Sequence, residues 1–72
     1  MPPRPRELEE VVLRLGFEEV RGKGSHRRYR HSDGRRVTIP FHPGDVPDDA
    51  FRGVLKQLGI TEREFNRILR GR

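Results

Sequence analysis

The stretch that decides the fold is residues 22–31, which read Gly22-Lys23-Gly24-Ser25-His26-Arg27-Arg28-Tyr29-Arg30-His31. The glycines predict a turn over residues 22–24, and residues 25–31 predict a strand whose successive side chains point to opposite faces. Tyr29 is the only large apolar side chain of this strand, so its face is expected to meet the core. Arg27, Tyr29 and His31 are then predicted to face inward, while His26, Arg28 and Arg30 face solvent together.

Hydrophobic repeats on either side of this strand predict helices. Apolar residues recur at helical spacing at positions 8, 11, 12 and 15, and predict a helix over residues 5–15 that Gly16 ends. The same spacing at positions 51, 54, 55 and 58 predicts a second helix, which starts at Pro47-Asp48-Asp49 and closes at Gly59. A short third helix follows, because Thr61 and Glu64 have the spacing of a capping box.

Two further strands are expected beside the central one. Residues 17–21 predict one strand, with Phe17 and Val20 as its apolar members, and residues 35–40 predict the other. Asp33-Gly34 between the second and third strands supplies the positive φ that a tight hairpin requires. The order of elements predicts an α+β sandwich with a three-stranded antiparallel sheet, helices on one face, and a short C-terminal helix. The other face of the sheet is expected to be free.

Positive charge is concentrated around the central strand. Between Arg21 and Arg36 there are seven basic residues and one acid, Asp33, so this window carries +6. The whole chain carries +5, and the remaining 56 residues therefore sum to −1. Such a concentration is typical of a surface that holds phosphates.

Length and composition limit the remaining possibilities. A chain of 72 residues predicts a single domain over residues 1–72. It has no cysteine, which excludes disulfides and thiolate metal sites. The histidines at positions 26, 31 and 42 lack metal-ligand spacing, so neither a metal nor another cofactor is expected. No apolar run approaches the ~20 residues that cross a bilayer. We therefore expect a cytoplasmic protein without a membrane partner.

Several motifs together resemble one family. The layout is similar to that of double-stranded-RNA-binding domains, and the likeness becomes specific in three segments, Arg21-x-Lys23-Gly24-Ser25-His26-x-x-Tyr29-x-His31, Val37-Thr38-Ile39-Pro40-x-His42-Pro43-Gly44 and Leu55-Lys56-Gln57-Leu58-Gly59-Ile60. This series resembles the HicA family of toxin mRNA interferases. The resemblance covers roughly residues 7 to 69.

The resemblance implies a function and a site. It suggests the toxin of a type II toxin–antitoxin system, an endoribonuclease that cleaves mRNA and is paired with a HicB-like antitoxin. In that family the histidine of the Gly-Ser-His element is catalytic, which corresponds to His26. An imidazole titrates near neutral pH and can take a proton from a ribose 2′-OH without a metal.

The other residues expected to bind RNA surround this histidine. The negative charge that develops on the phosphate would be stabilised by Lys23, Arg28 and Arg30. The start of the strand is formed by Gly24 and Ser25. One histidine cannot be both acid and base in a single step, so either His42 or Lys23 is a candidate for the second proton transfer. Two other functions stay open: a non-catalytic RNA-binding module of the same architecture, and a degenerate toxin kept as an antitoxin-binding protein.

Overall fold

The computed structural model describes residues 3–71, except for the side chains of residues 22 and 23. Its elements are α1 (Pro5–Arg14), β1 (Glu18–Lys23), β2 (His26–Arg30), β3 (Arg36–Pro40), α2 (Asp48–Leu58) and α3 (Glu62–Arg70). The strands form one antiparallel sheet in the order β1-β2-β3. The predicted α+β fold, with the element order of a double-stranded-RNA-binding domain, is therefore confirmed.

The helices cover one face of the sheet. Helices α1 and α2 pack against β3, and α3 packs against α1. Among the described residues, thirteen buried hydrophobic side chains form the core: Leu8, Val11, Val12, Phe17, Tyr29, Val37, Ile39, Val46, Phe51, Val54, Leu55, Leu58 and Phe65. Each predicted helical stripe contributes to this set, which explains why the helices form where the repeats predict them.

The capping signals also agree with the structure. The Thr61 hydroxyl accepts a hydrogen bond from the Glu64 amide at 3.1 Å, and the Glu64 carboxylate accepts one from the Thr61 amide at 2.9 Å. The bond from the Thr61 amide, together with a second one from the Thr61 hydroxyl to the same carboxylate, lowers the pKa of Glu64 below its ordinary value. Gly59 ends α2 with a φ of 75°, a conformation in which a side chain would be strained.

The first hairpin is tighter than the sequence predicts. The predicted turn over residues 22–24 is wrong at its start, because β1 continues through Lys23, which pairs with His26. Only Gly24 and Ser25 remain as the loop, and Gly24 has a φ of 60°. A register shift between Val20 and Lys23 absorbs the extra length of β1. The pairing of β1 with β2 thus extends to the base of the loop.

The second hairpin differs in a smaller way. Gly34 has a φ of 101°, whereas Asp33 has no positive φ. Asp33 acts through its side chain instead, accepting a hydrogen bond from the Arg35 amide at 3.0 Å. That bond, with the Arg35 guanidinium beside it, lowers the pKa of Asp33. The loop is therefore stabilised by one glycine and one Asx-type bond rather than by two residues of positive φ.

None of the helices within residues 3–71 combines the length and the apolar character needed to cross a membrane.

Candidate nucleic-acid interface

The cross-strand register defines which side chains share the uncovered face of the sheet. On β2 and β3, His26 lies opposite Pro40, Arg28 opposite Thr38, and Arg30 opposite Arg36. On β1, Val20 lies opposite Arg28 and Glu18 opposite Arg30. Residues directly opposite in an antiparallel pair lie on the same face. We call this surface the free face, and its members are Glu18, Val20, His26, Arg28, Arg30, Arg36, Thr38 and Pro40.

Three arginines of the free face have no acidic partner among the described residues. Arg28, Arg30 and Arg36 are exposed, and no described carboxylate lies within the 4.0 Å of a salt bridge from them. Glu18 is the register partner of Arg30, yet the two do not form an ion pair. These guanidinium groups are therefore available to an anionic ligand, whose phosphates they can bind in a bidentate manner.

Arg27 belongs to the opposite face, as the alternation predicts. Its Nη1 lies 3.5 Å from Oε2 of Glu9, and its guanidinium lies 4.1 Å from the centre of the Phe41 ring. The same carboxylate accepts a hydrogen bond from the Tyr29 hydroxyl at 2.6 Å. Burial and this carboxylate raise the pKa of Tyr29 well above its usual value. Arg27 thus contacts α1 and the loop after β3, and it is not part of the free face.

Arg35 is also committed to the fold. Its Nε lies 2.9 Å from Oδ2 of Asp33, its guanidinium stands over the Phe17 ring, and its Nη1 donates to the Leu58 carbonyl at the end of α2. From the sequence alone Arg35 resembles an ordinary solvated charge, whereas these contacts hold it against the fold. The guanidinium ties the second hairpin to α2, since it satisfies a carbonyl that the helix leaves without an internal partner.

Two histidines from different elements meet at the end of the free face. His26 is the first residue of β2 and His42 lies two residues beyond the end of β3; both are exposed. Their ring centres are 5.8 Å apart and the ring planes are nearly perpendicular, at 89°. Such an edge-to-face arrangement is a favoured one for ring systems. The structure therefore brings together two imidazole side chains, the type of group that most often transfers protons in enzymes.

The backbone fixes the position of this pair. The Phe41 amide donates to the Ser25 carbonyl at 2.6 Å, directly beside His26 and His42 in the chain. Pro40 is the register partner of His26. The Phe41 ring in turn lies under the Arg27 guanidinium. The loop that carries His42 is thus attached to the start of β2 by hydrogen bonding, pairing and packing.

One comparison with known proteins identifies the family. The family model described as "HicA toxin of bacterial toxin-antitoxin" matches residues 5–60, more than half of the chain. The chain belongs to the HicA toxin family. Membership of a toxin–antitoxin family implies that the chain has a cognate antitoxin as its partner. No curated protein matches the chain.

Three residues near the Gly-Ser-His element of this HicA chain have different structural positions. Gly24, which is exposed, and Ser25, which is half-buried, form the first turn, where the Ser25 carbonyl accepts the bond from the Phe41 amide described above. The Lys23 backbone pairs with His26, but its side chain lies outside the described residues. The structure therefore brings His26 and His42 together and leaves the contribution of Lys23 as a sequence prediction.

His31 lies apart from the other two histidines. Its ring packs edge-on against Phe17 with 5.0 Å between ring centres, and its Nδ1 accepts a hydrogen bond from the Asp33 amide at 3.1 Å. A side chain at Gly16, which has a φ of 96°, would start 3.2 Å from this ring. His31 is thus a packing residue of the hairpin, as its inward position predicts. Across residues 3–71, no three His, Asp or Glu side chains gather closely enough to hold a metal ion.

Arg36 is a member of the free face that the sequence did not single out, and it lies beside Arg30. Alternation along β3 explains its position, because Val37 and Ile39 are buried in the core and Arg36 therefore points outward. Val20 was missed in the same way: it lies half-buried on the free face, while Glu19 occupies the position opposite Tyr29.

Proposed function

We propose that this HicA-family toxin is a metal-independent endoribonuclease that cleaves mRNA, with His26 as the proton-transferring residue. The observation that carries the proposal is the position of His26, exposed at the end of a face that bears three arginines without acidic partners among the described residues. An RNA strand lying across this face would present phosphates to the arginines and a ribose to the imidazole. Because mRNA is the substrate, the toxin would act in the cytoplasm.

The chemistry requires a base and a charged surface. The neutral His26 imidazole removes the proton of a ribose 2′-OH, and the oxygen attacks the adjacent phosphorus. Negative charge then grows on the non-bridging phosphate oxygens, where Arg28 and Arg30 stabilise it. General base catalysis of this kind contributes roughly 10²- to 10⁴-fold to a rate. None of these steps needs a metal ion.

The main alternative is a non-catalytic RNA-binding module, which would use the same arginines but would not depend on His26. The two functions are separated by His26→Ala, measured for both RNA binding and cleavage on one mRNA, with and without EDTA. His31→Asn is the matched control, since it also removes a histidine but lies on the covered side of the sheet. We expect cleavage to disappear in His26→Ala alone, with binding retained and no effect of EDTA. Full cleavage by a folded His26→Ala variant would refute the catalytic assignment.

The cognate antitoxin is proposed to be a HicB-like protein that covers the free face. His26 is exposed among the described residues, so a partner that binds the free face can reach it. Acidic groups of that partner would complement Arg28 and Arg30 and exclude RNA by charge and by occupancy. We therefore predict that Arg28→Glu with Arg30→Glu weakens both antitoxin and RNA binding, measured by calorimetry and by fluorescence anisotropy. Unchanged antitoxin affinity with reduced RNA affinity would show that inhibition uses another surface.

A further inference from the structure

We propose that His42 is the second catalytic residue of this site, the general acid that protonates the 5′-oxygen leaving group while His26 acts on the 2′-OH. This assignment rests on the proposed function and adds the group that completes its proton transfers. The sequence offered His42, with Lys23 as an alternative, for the second proton transfer, and the structure sets the His42 ring against that of His26.

The distance between the rings suits a shared phosphodiester. Proton transfer needs heavy atoms within about 2.6–3.2 Å of each other. The ring centres of His26 and His42 are 5.8 Å apart, so both imidazoles lie close enough to contact oxygens of the same phosphodiester group. Since both rings are exposed, an RNA strand can reach them without rearrangement of the core.

The reaction needs two groups because the attacking and leaving oxygens lie on opposite sides of the phosphorus in an in-line displacement. A group that contacts the 2′-oxygen is therefore poorly placed to protonate the 5′-oxygen in the same step. His26 and His42 come from β2 and from the loop after β3, so they approach the phosphate from two directions. Their perpendicular planes allow one ring nitrogen of each to point at a different oxygen.

A groove on the His42 side offers space for the leaving nucleoside. His42 lines this open groove of about 970 Å³ together with Phe41, Gly44 and residues of α1 and α3. Its size lies within the ~300–1,000 Å³ of small-molecule sites. Its lining includes the cations Arg4, Arg6 and Arg70 as well as the acids Glu7, Asp45 and Glu62, so it is not a purely cationic surface. The groove is thus large enough for the first nucleoside of the departing strand, on the side where His42 would protonate the 5′-oxygen.

In the proposed step His26 takes up one proton and His42 releases one. His26 takes the 2′-OH proton as the 2′-oxygen forms its bond to phosphorus. The bond from phosphorus to the 5′-oxygen breaks, its electron pair goes to that oxygen, and protonated His42 supplies the proton. The products are a 2′,3′-cyclic phosphate and a free 5′-hydroxyl. Exchange with solvent returns both imidazoles to their starting protonation states.

A sulfur substitution in the RNA tests this role directly. The probe is an oligoribonucleotide that contains a cleavage site mapped on mRNA, prepared with either oxygen or sulfur as the 5′ bridging atom at that site. A thiolate departs without a proton, so the sulfur substrate does not need a general acid. We expect His42→Ala to slow cleavage of the oxygen substrate by roughly 10²- to 10⁴-fold and to cleave the sulfur substrate at nearly the rate of the unmodified protein. His26→Ala should be slow on both substrates.

The controls separate this proposal from a structural role and from failure of the proposed function. His42→Gln is a second variant that keeps a polar side chain in the loop, and circular dichroism checks that both variants fold. A rate loss that sulfur does not restore would make His42 a positioning residue and overturn the proposal, as would no loss at all. Rescue of His26→Ala by sulfur would reverse the roles and also overturn it. Full activity of His26→Ala on both substrates would instead refute the proposed function.

Discussion

Removing the three arginines of the free face should flatten the salt dependence of RNA binding. The change is Arg28→Gln, Arg30→Gln and Arg36→Gln together, in a His26→Ala background that prevents cleavage. Each arginine has no acidic partner among the described residues, so each can displace a counterion from RNA. A single strand gives a slope of about −0.7 per contact in a plot of log K against log salt, so three lost contacts reduce the slope by about 2 units.

The same slope difference has a large effect on measured affinity. Between about 50 mM and about 200 mM salt, the parent should lose about 20-fold more affinity than the triple variant. Fluorescence anisotropy with a labelled single-stranded RNA over a salt series measures both slopes. The matched control is Arg52→Gln, Arg63→Gln and Arg67→Gln, which removes three exposed charges from α2 and α3. Equal slopes for the two triple variants would show that net charge, and not the free face, binds RNA.

Two further predictions concern the hairpins and the core. Tyr29→Phe removes the hydrogen bond to Glu9 and should lower the free energy of unfolding, measured in urea, by about 1.5 kcal/mol. This is the lower end of the range for a hydrogen bond to a charged group, because Glu9 keeps Arg27 as a partner. No loss would mean that this bond contributes nothing to stability. Asp33 has a folded-state pKa below its ordinary 3.8, so its contribution is present above that value and is lost as pH falls through the folded pKa. Asp33→Asn should therefore be less stable than the parent at pH 7 and equally stable in acid, and a constant difference across a urea titration series at several pH values would contradict this.

The sequence predicted much of the fold because the governing signals are local. Helical spacing of apolar residues, the Thr61 capping box and the single inward tyrosine of β2 each act within one or two turns of chain. Strand ends were less certain, since β1 extends through Lys23 only because pairing with His26 continues to the loop. Pairing is a contact between segments, and no single segment encodes where it stops.

The candidate site likewise depends partly on local sequence signals and partly on contacts between segments. Alternation along β2 by itself places His26, Arg28 and Arg30 on one face, and the Gly-Ser-His element carries the family resemblance. Tertiary structure decides which other basic residues join them. Arg35 and Arg36 look equivalent in the sequence, but contacts with Asp33 and with the Leu58 carbonyl commit Arg35 to the fold.

The meeting of His26 and His42 was also decided by the tertiary structure. The two residues are separated by a hairpin and a loop, and their distance depends on the register that sets Pro40 opposite His26 and on the bond from the Phe41 amide to the Ser25 carbonyl. Side-chain periodicity determines which face a residue occupies because it is a property of a single strand. Proximity between residues of different elements depends instead on pairing and packing, which exist only once the chain has folded.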